Sequence, residues 1–79
     1  MITVLFFGPV ADAVGSSRLE IALTPGMRLQ DLRAQLQTLH PEAFALVSLV
    51  AVGGAQVRDM SALLTDGSEV VFMSKFSGG

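Results

Sequence analysis

Arg28-Leu29-Gln30-Asp31-Leu32-Arg33-Ala34-Gln35-Leu36-Gln37-Thr38-Leu39 is the one long stretch of this chain with a helical period. Leucine recurs at 29, 32, 36 and 39, which places one apolar stripe along a helix. Arg28, Asp31, Gln35 and Gln37 cover much of the opposite side. Asp31 falls in the first turn, where the helix dipole favours a negative charge. Upstream, Thr24-Pro25-Gly26 breaks whatever precedes the helix; downstream, His40-Pro41 ends it, because the residue before a proline avoids the α region. A single amphipathic helix can cover only one face of one sheet, so the flanking segments have to supply that sheet.

They do so with a two-residue period. Ile2 to Phe7 is a β-branched and aromatic run stopped by Gly8-Pro9, with Ile2, Val4 and Phe6 on one face and Thr3, Leu5 and Phe7 on the other. Thr3 marks the second face as the outer one. Pro9 can open a short helix over Val10 to Val14 that Gly15 closes. Arg18 to Leu23 alternates again, with Leu19, Ile21 and Leu23 inward, and forms an antiparallel hairpin with the first strand. Beyond the long helix, Glu42 to Val47 predicts a helical turn around Phe44. Leu49 to Val52 reads as a strand, Gly53-Gly54 as a hairpin turn, and Gln56-Val57 as a short return strand. Leu63 and Leu64 are expected to anchor a loop. Asp66-Gly67 turns the chain into a last strand, Glu69 to Met73.

The order β, β, α, β, β, β with one long helix predicts an α+β domain, and at this length the β-grasp, or ubiquitin-like, fold: a mixed sheet of about five strands covered on one face. The domain is expected over residues 1–73, with 74–79 as a flexible C-terminal Gly-Gly tail. In that fold the first and last strands are parallel neighbours, so Phe7 and Met73 end side by side. Leu5, Phe7, Val71 and Met73 then share an outer face that the helix cannot reach, partly exposed and suited to docking.

Composition narrows the function. At 79 residues there is room for one core, and such a chain buries roughly 60% of its unfolded surface. The apolar fraction of 51% and charged fraction of 15% argue against disorder. No apolar run approaches the roughly 20 residues of a membrane helix, and no basic region opens a signal peptide, so a soluble cytoplasmic protein without a membrane role is expected. There is no cysteine, hence no disulfide, thiolate nucleophile or cysteine metal site. His40 is a lone imidazole without an evident second ligand, so no metal site is expected. The net charge of −2 disfavours nucleic acid, and the five cations Arg18, Arg28, Arg33, Arg58 and Lys75 are scattered along the chain. Neither a P-loop nor a GxGxxG fingerprint occurs.

The chemistry points to the last residues, Phe76-Ser77-Gly78-Gly79. Two terminal glycines carry an unhindered carboxylate that can thread a narrow slot in extended form. A loose glycine-rich end is common, yet a terminal Gly-Gly arises by chance in roughly one chain in two hundred. That carboxylate is ionised at neutral pH and a poor electrophile; it needs activation, most directly by adenylation, before a nucleophile can displace AMP.

The opening Ile2 to Gly15, the run Leu63 to Met73 with its Asp66-Gly67-x-Glu69-Val70, and the terminal Ser77-Gly78-Gly79 resemble the ubiquitin-like sulfur carriers, above all the small subunit of molybdopterin synthase. The resemblance spans nearly the whole chain. It implies that Gly79 is adenylated, converted to a thiocarboxylate and made the sulfur donor to a pterin precursor, with Gly78 as a slender spacer. It implies three partners: the synthase large subunit, an E1-like adenylating enzyme and a sulfur donor enzyme. No cofactor is bound; ATP is used by the activating enzyme, and the chain holds no complete active site alone. Phe7 matches an outward aromatic that presses on partners, beside Met73. Residues 74–79, fully extended, reach about 20 Å, so Phe76 would seat at a pocket mouth, Lys75 against an acidic rim, and Ser77 and the glycines inside. The family often carries Pro-Pro where this chain has Ser74-Lys75, and Asn where it has Gly53. Relatives serve thiazole, cysteine or tRNA thiolation pathways, and a ubiquitin-like modifier conjugated through Gly79 starts from the same adenylation. The thiazole carriers usually lack a helical segment after the first strand, so Pro9 to Gly15 points towards molybdopterin. A plain interaction domain with an inert tail is the remaining reading.

Overall fold

The computed structural model describes residues 1–75. Eight elements follow in order: β1 (Ile2–Phe6), α1 (Gly8–Val14), β2 (Arg18–Ile21), α2 (Leu29–Leu39), α3 (Pro41–Phe44), β3 (Leu49–Val52), β4 (Ala55–Gln56) and β5 (Glu69–Met73). They build a five-stranded sheet in the order β2-β1-β5-β3-β4. The central pair β1 and β5 is parallel, Val4 opposite Val70 and Phe6 opposite Phe72, while the other pairs are antiparallel. This is the expected β-grasp.

Period decides which residues go inside. Ile2, Val4 and Phe6 of β1 and Val70 and Phe72 of β5 are fully buried, against Leu29, Leu32 and Leu36 of α2 and Val10 of α1. At one end of the sheet three rings close the core. Phe44 of α3 lies 4.9 Å from Phe72 and 6.2 Å from Phe6, both edge-on, and Phe6 stacks on Phe72 at 6.2 Å. Those distances suit aromatic pairing. The cluster binds the outgoing ends of β1 and β5 to each other and to α3.

The start of α2 is held by capping and by a loop. The Asp31 carboxylate accepts the Arg28 backbone N–H at 2.8 Å, the reciprocal arm of a capping box. The other arm cannot form, because a guanidinium has no acceptor. Instead the Leu29 and Gln30 N–H groups donate to the carbonyls of Ala62 (2.9 Å) and Met60 (2.8 Å), satisfying donors that a helix start leaves open. The Arg28 guanidinium donates to the Ser61 carbonyl at 2.6 Å, and the Leu64 N–H to that of Met27 at 2.9 Å. The segment after β4 is thus laced onto the helix. The β3–β4 turn needs two left-handed residues, and Gly53 (φ 60°) and Gly54 (φ 85°) supply them.

Five expectations are corrected. The return strand is Ala55–Gln56 and not Gln56-Val57, because pairing resumes directly after the two-residue Gly53-Gly54 turn. Leu39 is not part of the buried stripe: it is 65% exposed, because α2 stops there and Phe44 of α3 fills the core position instead. Leu64 anchors its loop but Leu63 does not, being 59% exposed, since a single residue of an extended pair can face the core. β2 ends at Ile21 rather than Leu23, where its pairing with Ile2 runs out. Val71 is on the outer face yet only 8% exposed, for a reason that belongs to the site.

Candidate functional site

All three helices pack against the inner side of the sheet, so the outer side is built from strand residues alone. Register gives its rows. Leu5 lies between Arg18 and Val71, Val71 is followed by Ala51, and Ala51 by Gln56. In the next row Met73 faces Leu49, and at the far end Thr3 faces Glu69. Val71 is flanked on both sides by apolar neighbours in the middle of the sheet, and their side chains take up most of its surface. Leu5, Ala51, Leu49 and Met73 are half-buried around it.

Phe7 follows β1 without leaving its extended geometry (φ −129°, ψ 152°), so its ring continues the outward alternation of Thr3 and Leu5. It caps α1 through backbone geometry only and stands 49% exposed. A large aromatic half in water, beside a half-buried methionine and leucine, leaves an apolar patch exposed on this face of the sheet. The Phe6–Phe44–Phe72 cluster directly behind it holds the platform. Outward placement of Phe7 and Met73, expected from alternation, is what the structure has. Leu49 and Ala51 extend the patch and were missed, since nothing in the sequence pairs β3 with β5 before the fold is known.

The last strand hydrogen bond at this end runs from the Ser48 N–H to the Met73 carbonyl, 3.0 Å. Ser74 then turns inward: it is buried, and its Oγ has no hydrogen-bond partner among the described residues. Lys75 is exposed and lines a groove beside β3 and β4. Phe76, Ser77, Gly78 and Gly79 lie outside the described residues.

Charge is kept off the apolar patch. Arg18 pairs with Glu20 at 3.1 Å on the β2 edge. At the opposite end of the sheet the Met1 amine is ion-paired to Asp66, and that amine holds the Asp66 carboxyl below its ordinary value. Ser61 does the same for Asp59, first through its hydroxyl and then through its backbone N–H. Among the described residues no group of His, Cys, Asp or Glu is placed to hold a metal ion, and no helix is long and apolar enough to cross a membrane. The arrangement offers a partner an apolar face and, at its edge, the root of the chain's last residues.

Known structures share this architecture. SAMP1 of Haloferax volcanii superposes with a TM-score of 0.81 at 18% identity, covering 99% of this chain and 98% of that one. Urm1 of Trypanosoma brucei gives 0.77 at 26%, covering 99% and 94%. A chain of the protein–protein complex of subunits 1 and 2 of the molybdopterin-converting factor of Helicobacter pylori gives 0.74 at 24%, covering 99% of this chain and 97% of that one. Comparison with curated proteins by sequence found no match. Residues 4–79, from the middle of β1 through the terminal glycines, match the ThiS family, and the chain belongs to that family of ubiquitin-like sulfur carriers.

Proposed function

We propose that the chain is the sulfur-donating small subunit of a molybdopterin synthase, acting through the carboxylate of Gly79. The observation that carries this reading is that the family match runs through Gly79 itself. The carboxylate attacks the α-phosphate of ATP on an E1-like enzyme, releasing pyrophosphate. Hydrosulfide released by a donor enzyme then attacks the acyl carbon, forming the C–S bond as the C–O bond to AMP breaks, so that sulfur takes the place of one terminal oxygen and AMP leaves. The outer face at Phe7 and Met73 docks the protein on its partners while the last residues enter the partner's site. Phe76 seats at the mouth of that site, Lys75 faces its acidic rim, and Ser77 and the slender Gly78 pass inside with Gly79.

Two observations favour molybdopterin among the pathways. α1 forms between the first two strands, and one similar protein is a molybdopterin-converting subunit solved with its second subunit. The alternative reading, a protein modifier conjugated through Gly79, is favoured by the likeness to SAMP1 and Urm1.

Intact mass of the protein from its own cells separates the readings. Exchange of one oxygen for one sulfur is the expected result, and adducts on lysines of other proteins would favour the modifier. Mixed with its cognate large subunit, the thiocarboxylated form should convert the cyclic pterin precursor to the dithiolene product. Sulfur transfer to a thiazole or tRNA system instead would move the protein to another pathway.

A further inference from the structure

The five cations, dispersed in sequence, sort into two groups in the fold. Arg18 is paired with Glu20, and Arg28 is spent on the Ser61 carbonyl. Arg33, Arg58 and Lys75 have neither an ion pair nor a side-chain hydrogen bond among the described residues, and all three line one groove of about 520 Å³. Among the described residues no carboxylate lines it with them. Its remaining walls are Ser48, Leu49, Val50, Gln56, Val57 and Met60. The nearest acid in sequence, Asp59, is turned to Ser61. In a chain of net charge −2 this concentrates positive charge in one place.

We infer that this groove takes an acidic peptide segment, one with an apolar side chain among its carboxylates, from the protein that receives the C-terminus. The inference rests on the proposed function for the identity of that protein, and on the groove alone for the chemistry. Three features select a peptide. The cations come from three separate elements, α2, the segment after β4 and the residues after β5, so the groove brings together charges that no single segment holds. The floor is apolar, with Val50, Val57 and Met60, which a phosphate or polyphosphate would leave unused. β4 is the sheet's edge strand, and its outer main-chain groups can pair with an extended segment. Lys75, the last of the three, stands where the chain leaves the domain, so a protein engaging the terminus passes over this groove. Such charges act mainly on encounter rate and salt dependence.

The test uses the full chain and two probes. The first is a synthetic peptide of glutamates flanking a leucine, followed by backbone amide shifts at low ionic strength. Expected are shifts at Arg33, Val50, Gln56 to Arg58 and Lys75, lost in the double variant Arg33→Gln, Arg58→Gln with an unchanged melting temperature. A lysine-flanked peptide should produce none. Shifts located elsewhere, or persisting in the double variant, overturn the inference; so does tripolyphosphate binding the same residues more tightly than the peptide, which would make this a polyanion site. The second probe is the cognate synthase large subunit, for which the double variant should bind about tenfold more weakly, with a flatter salt dependence. Undiminished binding there would overturn the assignment to the receiving protein. If the wild type itself fails to bind the large subunit, the proposed function is at fault, and the peptide titration still decides the groove.

Discussion

Phe7 follows β1 and Ser74 follows β5, and the two are opposite in kind. Phe7 is a large apolar side chain left half in water, and Ser74 a polar one taken out of it. Replacing Phe7 by Asp removes little native packing, so it should change stability by no more than about 0.5 kcal/mol. It should weaken large-subunit binding by about 2 kcal/mol or more, because aromatic anchors dominate interfaces. Urea denaturation alongside a binding titration checks both, and a variant that unfolds would place Phe7 in the core. For Ser74 the expected sign is reversed. A buried hydroxyl without a partner costs about 1–3 kcal/mol, so Ser74→Ala should raise the urea midpoint. A drop would mean the hydroxyl is bonded after all.

At the scale of elements, the sheet's two termini are tied differently. At the end near Phe44, β1 and β5 are joined by three packed rings. At the other end the Met1 amine reaches the turn before β5 through Asp66, and the Gly67 N–H donates to the Met1 carbonyl at 2.9 Å. The Asp66 carboxyl is held below its ordinary 3.8 by the amine. A depressed carboxyl contributes stability above its unfolded value and loses it as pH falls through the folded one. Both groups are exposed, so the effect is small and screened by salt. Asp66→Asn should therefore melt slightly below the wild type at neutral pH and low salt, the gap closing as pH drops below 3.8. A gap that persists in acid would assign it to the turn's geometry. The elements themselves were legible where the period was long: β5 and β3 have the expected bounds, and α2 differs by its first residue, Arg28, which caps the helix from outside it. Ends were less so, since Leu39 continues the leucine pattern past the point where tertiary contact stops.

For the whole molecule, the proposed function predicts that stability and activation can be changed independently. Phe72→Ala should cost about 3–5 kcal/mol, the range for emptying a buried ring site, measured by denaturant midpoint. Adding one residue after Gly79 should leave the melting temperature unchanged and abolish adenylation, measured by ATP–pyrophosphate exchange. An extended chain that is still adenylated would show that the terminal carboxylate is not the reacting group.

Local pattern settled much of this protein. Two-residue alternation in Ile2 to Phe7 assigned each side chain a face, one leucine stripe required one covering helix, and Gly53-Gly54 specified a hairpin, because each depends on neighbours within a few residues. The terminal glycines raised the chemical question the same way. What only tertiary structure decided depends on residues far apart in the chain. Val71 is covered because β3 pairs beside β5, and Leu49 and Ala51 join the outer patch for the same reason. Arg33, Arg58 and Lys75 meet at one groove although the sequence spreads them over more than half its length. Strand order and the crossing of α2 over the sheet bring them there, and neither is written in any single segment.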